Sequence, residues 1–542
     1  MKTAHHGHGG SLVCPNSAEV PPPAMANPHS DELPAFSFRD PAGAVFRTKS
    51  RIFRYISSSA VSTLKEFLSS PITQELIASR KLVSTWAADN DPDLLPLLRS
   101  RHPSCEPGGQ IVEHERIWFP SYPHEWPPEM LFSAGELTLD LAQMALKQGF
   151  GLKDATPYNI LFRGPYPIFV DVLSFEKRDP GDAAWLPHAQ FVSTFILPLL
   201  MNKYFRMRLD QIFLSDAGGL APETVYHFCT WPQRLRPPFL TTVSLPTWLG
   251  RRMKAGNHEQ LYRSRGQQDP EKARFILERQ FRYLRRLLHT VRPPQTESTW
   301  SSYTKHLSYT DEEFQEKNKW VATWACKIAP QKVLDLGCNT GHFSELVARG
   351  GAQVVATDLD PVVVGETWTR ATRANLNILP LVVNIAHPTP PVGWRNAEYS
   401  SFLERATGQF DLILMLALLH HLLVTERVPL VEIVNMAAEL TTSYAVIEFV
   451  SKDDPLFRQL TRGREALHAA FTQQAFEAAC RQRFQIVDKR PVKNNLRWLY
   501  LLQKRNRDQK EGNLRYPESL ERGSGAEASL VSPDHNPIHL WR

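Results

Sequence analysis

From Lys332 to Leu502 the sequence alternates short, near-continuously apolar runs with amphipathic stretches, and few folds accept that alternation. Residues 332–336, 353–358, 378–383, 410–416 and 444–450 read as buried strands. Helical spans lie at 343–349, near 428–440 and at 473–483. A further helix is expected over 310–327, where Thr310 and Glu313 have the spacing of a capping box. Asp360 and Pro361 supply an N-cap and first-turn pair for another. Strands that are apolar throughout, joined by helices, predict a parallel, doubly wound α/β sheet. Residues 484–487 and 498–502 predict an antiparallel hairpin that closes it.

The chain has 542 residues, more than one hydrophobic core serves, so the sheet is one domain among several. Residues 1–35 and 505–542 read as polar, flexible tails. Residues 36–245 mix helical and strand-like segments and predict an α+β domain. Its best helix is 134–148, with Leu137, Leu141, Met144 and Ala145 on one face. Residues 246–310 read as a basic helical connector. Twelve basic and four acidic residues fall between Arg251 and Arg292, a net of +8 in a chain whose total is +6. The remainder sums to −2, which argues against a nucleic-acid partner for the chain as a whole. Within the connector, 270–291 places Leu277, Phe281, Leu284 and Leu288 on one stripe, and Pro293 and Pro294 end the helix. A solvated connecting helix is the expectation.

Six scattered cysteines (Cys14, Cys105, Cys229, Cys326, Cys338, Cys480) form no Cys-x-x-Cys pair, so neither a disulfide framework nor a zinc ribbon is indicated. His5, His6 and His8 have no further ligands at useful spacing, and no metal is expected. The longest apolar runs, 191–201 and 412–424, fall short of the roughly 20 residues that span a bilayer. No signal peptide is visible, and a cytoplasmic location is expected.

The stretch Val333-Leu334-Asp335-Leu336-Gly337-Cys338-Asn339-Thr340-Gly341 ends the first strand and opens a helix. Gly337 lets the turn close, and Gly341 lets a ligand approach the helix N-terminus. Asp335 is a carboxylate where a pyrophosphate would be repelled and a cationic amino group attracted. Asp358 ends the second strand, where a carboxylate accepts both hydroxyls of a ribose. Asn384 follows the third strand, placed for a polar contact to an adenine. Amino acid, ribose and base, each met at one strand end, describe S-adenosyl-L-methionine. An NAD-type Rossmann domain fits less well, since Gly-x-Gly-x-x-Gly is absent.

With these motifs, residues 311–504 resemble class I S-adenosylmethionine-dependent methyltransferases, whose fold is a Rossmann-like sheet. Asn339 stands where many members have a second glycine. The whole chain more loosely resembles the NoeA-type rhizobial nodulation proteins and related two-domain bacterial methyltransferases. That resemblance rests on Trp300, Tyr303, Tyr309, the Asp335–Gly341 loop, the Gly393-Trp394-Arg395-Asn396 turn, the run from Leu416 to His421, and Glu448-Phe449-Val450. It implies methylation of a small-molecule or glycan-type acceptor in host-specific nodulation factor production.

A hydroxyl acceptor needs a general base, and His420 and His421 follow the fourth strand at the mouth of the sheet. At most one of them can point inward. Glu448, among apolar neighbours inside the fifth strand, is a candidate to hold the acceptor or a histidine. Trp394 and Arg395 either cover the adenine or the acceptor, or form a plain surface loop. Cys338 and His342 read as local packing.

A second constellation lies in the N-terminal half. Asp154, Asn159 and Asp171, on helix, loop and hairpin signals, resemble the catalytic segment of protein-kinase-like and aminoglycoside-phosphotransferase-like folds. No glycine-rich nucleotide loop and no Val-Ala-x-Lys strand precede them, and Leu152–Lys153 replaces the usual lead-in. The resemblance implies a kinase-like fold that binds or presents the acceptor. Three alternatives stay open: a bifunctional kinase-like methyltransferase, an RNA methyltransferase using the basic connector, and a non-catalytic module that binds the cofactor.

Overall fold

The computed structural model describes residues 35–37, 39–48, 50–88, 108–253, 269–294, 309–492 and 494–505. The two expected tails apart from their inner ends, His5, His6, His8, Cys14, Cys105, residues 254–268, Trp300 and Tyr303 lie outside the described residues.

The N-terminal half begins with five antiparallel strands: β1 (Ala35–Ser37), β2 (Gly43–Arg47), β3 (Ile52–Ile56), β4 (Thr85–Ala87) and β5 (Gln110–His114). Their order in the sheet is β1-β2-β3-β5-β4. The expected helix starts earlier than its apolar stripe, at Pro128, and runs to Lys147. Proline at the first helical position has no N–H to leave unpaired. Two small antiparallel pairs follow: β6 (Phe150–Leu152) with β9 (Phe175–Lys177), and β7 (Ile160–Arg163) with β8 (Tyr166–Phe169).

The arginine-rich helix forms over Pro270–Thr290, but it is not a solvated connector. Leu277, Phe281, Leu284 and Leu288 are buried, and Leu288 packs on Gly135 of the Pro128–Lys147 helix so closely that a Cβ there would lie 3.1 Å from it. Arg285 clamps the same helix through Glu136, Asp140 and Gln143. The hydrophobic stripe was visible in sequence. Its target, an acidic face 142 to 149 residues upstream of Arg285, was not.

The C-terminal sheet contains β10 (Lys332–Leu336), β11 (Gln353–Asp358), β12 (Ile378–Val382), β13 (Phe410–Met415), β14 (Thr441–Val450), β15 (Phe484–Val492) and β16 (Arg497–Lys504). The order is β12-β11-β10-β13-β14-β16-β15, parallel except for β16, which runs antiparallel to both neighbours. This is the expected α/β architecture with its closing hairpin. The strand order reverses between β10 and β13, and the crevice beyond their carboxyl ends is where ligands bind such sheets. The capping box at Thr310 and Glu313 forms as expected and opens the Asp311–Ile328 helix.

The two halves share one apolar core. Phe119 packs against Phe402 and Phe410, with ring centroids 6.0 and 5.9 Å apart. Trp368 donates its indole N–H to the Pro165 carbonyl at 2.9 Å, and Arg405 reaches across to a buried Glu125. Among the described residues, no helix is long and apolar enough to cross a membrane.

Candidate active site

Four strand ends converge on a cavity of about 390 Å³, within the usual range for small-molecule sites. From β10 and its loop come Asp335, Gly337, Cys338, Asn339 and Thr340; from β11, Thr357 and Asp358; from β12, Asn384; from β13, Leu416 and then His421. The turn after β10 is tied to the neighbouring strand, because the Gly337 and Cys338 N–H groups both donate to the Thr357 carbonyl at 2.8 and 2.9 Å. Gly337 has φ +71°, a conformation that side chains resist. Gly341 has φ +77°, and a Cβ there would sit 2.6 Å from Thr367.

Asn339, the departure from the glycine pattern, has φ +50°. Asparagine tolerates the left-handed region better than other side chains, so the loop keeps its course without the second glycine. The Asn339 side chain also accepts from the Thr340 N–H at 2.7 Å.

Lys317, which also lines the cavity, is paired with Glu448, and its charge only partly offsets the effect of burial on Asp335. Asp335 is 2% exposed and accepts a hydrogen bond from Ser344 at 2.6 Å. Burial lifts its pKa to about 6, and the nearby Asp358 charge adds to the rise. Asp358 is likewise raised by burial, although it accepts from the Asn339 and Asp360 N–H groups at 3.0 and 3.1 Å. Two buried carboxylates that ionise reluctantly suit a ligand bringing its own positive charge and hydroxyl donors. S-adenosyl-L-methionine has both: a cationic ammonium and sulfonium, and ribose hydroxyls. Asn384 keeps one side-chain contact for its own loop, accepting from the Ala386 N–H at 3.0 Å.

The two histidines separate. Both lie on the short Leu419–Val424 helix, with ring centroids 4.2 Å apart. His421 lines the cavity. His420 does not; it is 1% exposed and neither ring nitrogen has a hydrogen-bond partner. Burial drives the His420 pKa to about 3. Burial also lowers that of His421, helped by the positive charge of Arg497.

Glu448 is not among the residues that line the cavity. It is fully buried in β14, where the Lys317 ammonium lies 2.6 Å away and the Tyr309 hydroxyl donates to it. Burial alone would raise its pKa, but Lys317 and Arg497 hold it down to about 2. Arg497 in turn donates to Asp454 at 2.9 and 3.2 Å and to the Tyr309 hydroxyl at 2.9 Å. Sequence reasoning missed this five-residue network. One signal was available: Lys317 shares a helical face with Trp320, Val321 and Trp324, an odd place for a lysine unless it is paired.

Cys338 and His342, expected as local packing, both line the cavity. The Cys338 thiol is raised far from thiolate formation by burial, and His342 holds Asn318 at 2.7 Å. Trp394 is 61% exposed, and neither it nor Arg395 is among the cavity's lining, so that turn is a surface loop.

In the N-terminal half, Asn159 and Asp171 do come together. Asn159 donates to the Ser174 hydroxyl at 3.1 Å, and Ser174 donates to Asp171 at 2.6 Å. The other Asp171 oxygen is taken by Arg54 of β3. Asp154 is half-buried, its pKa raised by burial and by the charge of Asp171.

Residues 277–485 match the model of a family described as a methyltransferase domain. Over 473 residues the chain is 29% identical to Nodulation protein NoeA of Rhizobium meliloti (strain 1021), covering 87% of this chain and 96% of that one. Among solved structures, the N-methyltransferase NodS from Bradyrhizobium japonicum WM9 is similar to 36% of this chain and 98% of its own, at 13% identity and a TM-score of 0.28. Magnesium protoporphyrin IX methyltransferase from Synechocystis PCC 6803 with bound SAH covers 36% of this chain and 84% of its own, at 17% identity and a TM-score of 0.27. With the sheet order, the strand-end carboxylates and the family match in agreement, the protein is an enzyme whose C-terminal half is a class I methyltransferase domain using S-adenosyl-L-methionine.

Proposed function

We propose that the enzyme methylates an oxygen or nitrogen of a small-molecule or glycan-type acceptor, with His421 as the general base. The observation that carries this reading is the position of His421: one cavity holds it together with Asp335, Asp358 and Asn384. S-adenosyl-L-methionine, when bound, supplies an electrophilic methyl group on a sulfonium. Asp335 then faces the cationic end, Asp358 the ribose and Asn384 the base. His421 takes the proton that the acceptor atom loses as it forms its new bond to carbon. Its lowered pKa keeps it neutral, and therefore able to accept, at neutral pH. Most of the acceleration comes from holding acceptor and methyl group in line in an apolar pocket, walled here by Phe314, Phe343, Leu416, Leu418 and Leu422.

Host-specific nodulation factor production is the setting this reading favours, supported by the relative named as a nodulation protein, with which the chain shares both halves. Cys229, Cys326, Cys338 and Cys480 are free thiols, which suits the cytoplasm. The test is calorimetric titration of S-adenosyl-L-methionine into the wild type and Asp358→Ala. Loss of a ribose acceptor weakens binding by about thirty- to hundredfold, on the order of 2–3 kcal/mol. Equal affinity in the two proteins removes the ribose assignment, and with it the orientation that puts the acceptor beside His421.

A further inference from the structure

Three short helices, Pro222–Phe228, Trp231–Arg234 and Leu245–Met253, follow one another in the N-terminal half. Their inward positions are filled, since Val225, Cys229, Phe239 and Val243 of this stretch are buried. Phe228, Trp231, Leu235, Leu245 and Leu249 are nevertheless exposed, Trp231 by 70% and Leu249 by 54%. Single exposed apolar side chains are ordinary on a protein surface, but a cluster of large ones marks a contact surface.

These five side chains belong to one neighbourhood, because the helices meet round the ring of Tyr226. Trp248 donates its indole N–H to the Tyr226 hydroxyl at 3.2 Å. The Arg234 and Arg251 guanidiniums lie 4.0 and 5.3 Å from the centre of the same ring. Ser244 donates to the Arg234 carbonyl at 2.8 Å, which sets Leu235 and Leu245, the next residues along the chain, close to one another. Leu249 lies one helical turn beyond Leu245 on the same stripe, and Phe228 is two residues from Tyr226.

The charge of this surface has one sign. Arg234, Arg236 and Arg251 belong to it and Arg252 and Lys254 follow in the sequence, while no acidic residue occurs from Thr224 to His258. The bordering carboxylate is Glu223, 3.2 Å from where a Gly250 Cβ would lie. Counting it, the five cations leave a net of +4. Among the described residues, Glu223, Arg234, Arg236 and Arg251 form no ion pair. A second copy of the chain suits such a face poorly, because a self-complementary interface sets these cations against each other. Nucleic acid satisfies the arginines but leaves three exposed leucines without a use. An anionic bilayer meets both needs. Its phosphates face the arginines, its headgroup boundary takes up indole, phenyl and leucine side chains, and being fluid it demands no matching shape.

We propose that this face of the N-terminal half docks peripherally on an anionic lipid bilayer, with Trp231 and Leu249 entering the headgroup boundary and Arg236 and Arg251 meeting the lipid phosphates.

The experiment is sedimentation of the full chain with vesicles of phosphatidylcholine alone, and of equal parts phosphatidylcholine and phosphatidylglycerol. The variants are Trp231→Ser/Leu249→Ser and Arg236→Gln/Arg251→Gln, all four positions being exposed. An unchanged affinity for S-adenosyl-L-methionine reports that each variant folds. Wild type is expected to pellet with the anionic vesicles and to stay in solution with phosphatidylcholine. Each double variant should bind the anionic vesicles at least about tenfold more weakly, as loss of two inserted apolar side chains or two surface cations requires. Added salt should weaken Trp231→Ser/Leu249→Ser more steeply than Arg236→Gln/Arg251→Gln, which has fewer charges to screen. Failure of wild type to bind anionic vesicles overturns the proposal, and so does binding that both double variants retain in full. Dimerisation, or binding of polyuridylate, that the variants lose in place of vesicle binding also overturns it, and gives the face to a second copy or to RNA.

Discussion

The Lys317 ammonium lies 2.6 Å from the Glu448 carboxylate, with side-chain exposures of 4% and 0%, so each is the other's main substitute for water. Arg497 and Tyr309 complete the enclosure. Removing one partner of such a pair leaves the other as an uncompensated buried charge, which costs more than the pair's own net worth. Glu448→Gln is therefore expected to lower stability by about 3–5 kcal/mol, seen as a large fall in Tm. A Tm within a degree or two of wild type would show that the Lys317–Glu448 pair does not form.

Adjacent histidines should respond to substitution in opposite ways. His421→Ala is expected to reduce kcat by about 10²- to 10⁴-fold while the affinity for S-adenosyl-L-methionine holds, as removal of a general base does. His420→Leu exchanges an imidazole with two unpartnered nitrogens for an apolar side chain, so its stability near pH 7 should equal or exceed wild type. The folded pKa of His420, about 3, lies below its unfolded value. The unfolded state therefore binds the extra proton first as pH falls, and stability is lost below about pH 6.5. His420→Leu should flatten that acid slope by one proton, measured by denaturant unfolding from pH 7 to 4. A kcat loss in His420→Leu alone would reverse the assignment.

What the sequence made legible follows from locality. Asp335, Gly337, Asn339, Asp358 and Asn384 reach the cavity from strand ends, and strands announce themselves by short apolar runs; Gly341, expected beside them, is not in the lining and caps the next helix. The Thr310–Glu313 box is equally local. Glu448 was misleading because its partners come from 131 residues before it and 49 after, and no periodicity encodes that meeting. The Pro270–Thr290 helix shows the same limit: its stripe specifies that it must pack, and only the fold says upon what. In the N-terminal half the spacing of Asp154, Asn159 and Asp171 was readable. Arg54, which changes what Asp171 can do, sits 117 residues away on another strand.

Asp335 should make cofactor binding depend on pH in a defined direction. Its pKa of about 6 without a ligand cation means that it is largely protonated below that pH. A bound ammonium or sulfonium favours the carboxylate, so binding below pH 6 must expel a proton. The affinity for S-adenosyl-L-methionine is expected to rise as pH increases from 5 to 7, by at most about tenfold per unit for each proton released, and then to level off. Titrations in buffers of different ionisation enthalpy should detect the released proton at pH 5.5. In Asp335→Asn the rise near pH 6 should disappear and the plateau affinity fall. An affinity that declines over the same range would mean that Asp335 meets no positive charge.

Across the junction of the two halves, Arg405 and Glu125 are buried together, at 2% and 0% side-chain exposure. Arg405 also donates to the Pro120 carbonyl at 2.6 Å and lies over the rings of Phe119, Tyr122 and Phe402. The pair thus rivets the helix before β13 to the segment before the Pro128–Lys147 helix, inside an apolar core common to both halves. Arg405→Met strands Glu125 in that core and should cost on the order of 3–5 kcal/mol. Because packing is kept by the methionine stem, adding Glu125→Gln should recover most of the loss, as removing both charges of a buried pair often does. If the halves are energetically one unit, wild type unfolds in a single calorimetric transition, and Arg405→Met moves that transition down as a whole. Two transitions in wild type, with only one of them shifted by Arg405→Met, would show that the shared core does not couple the halves.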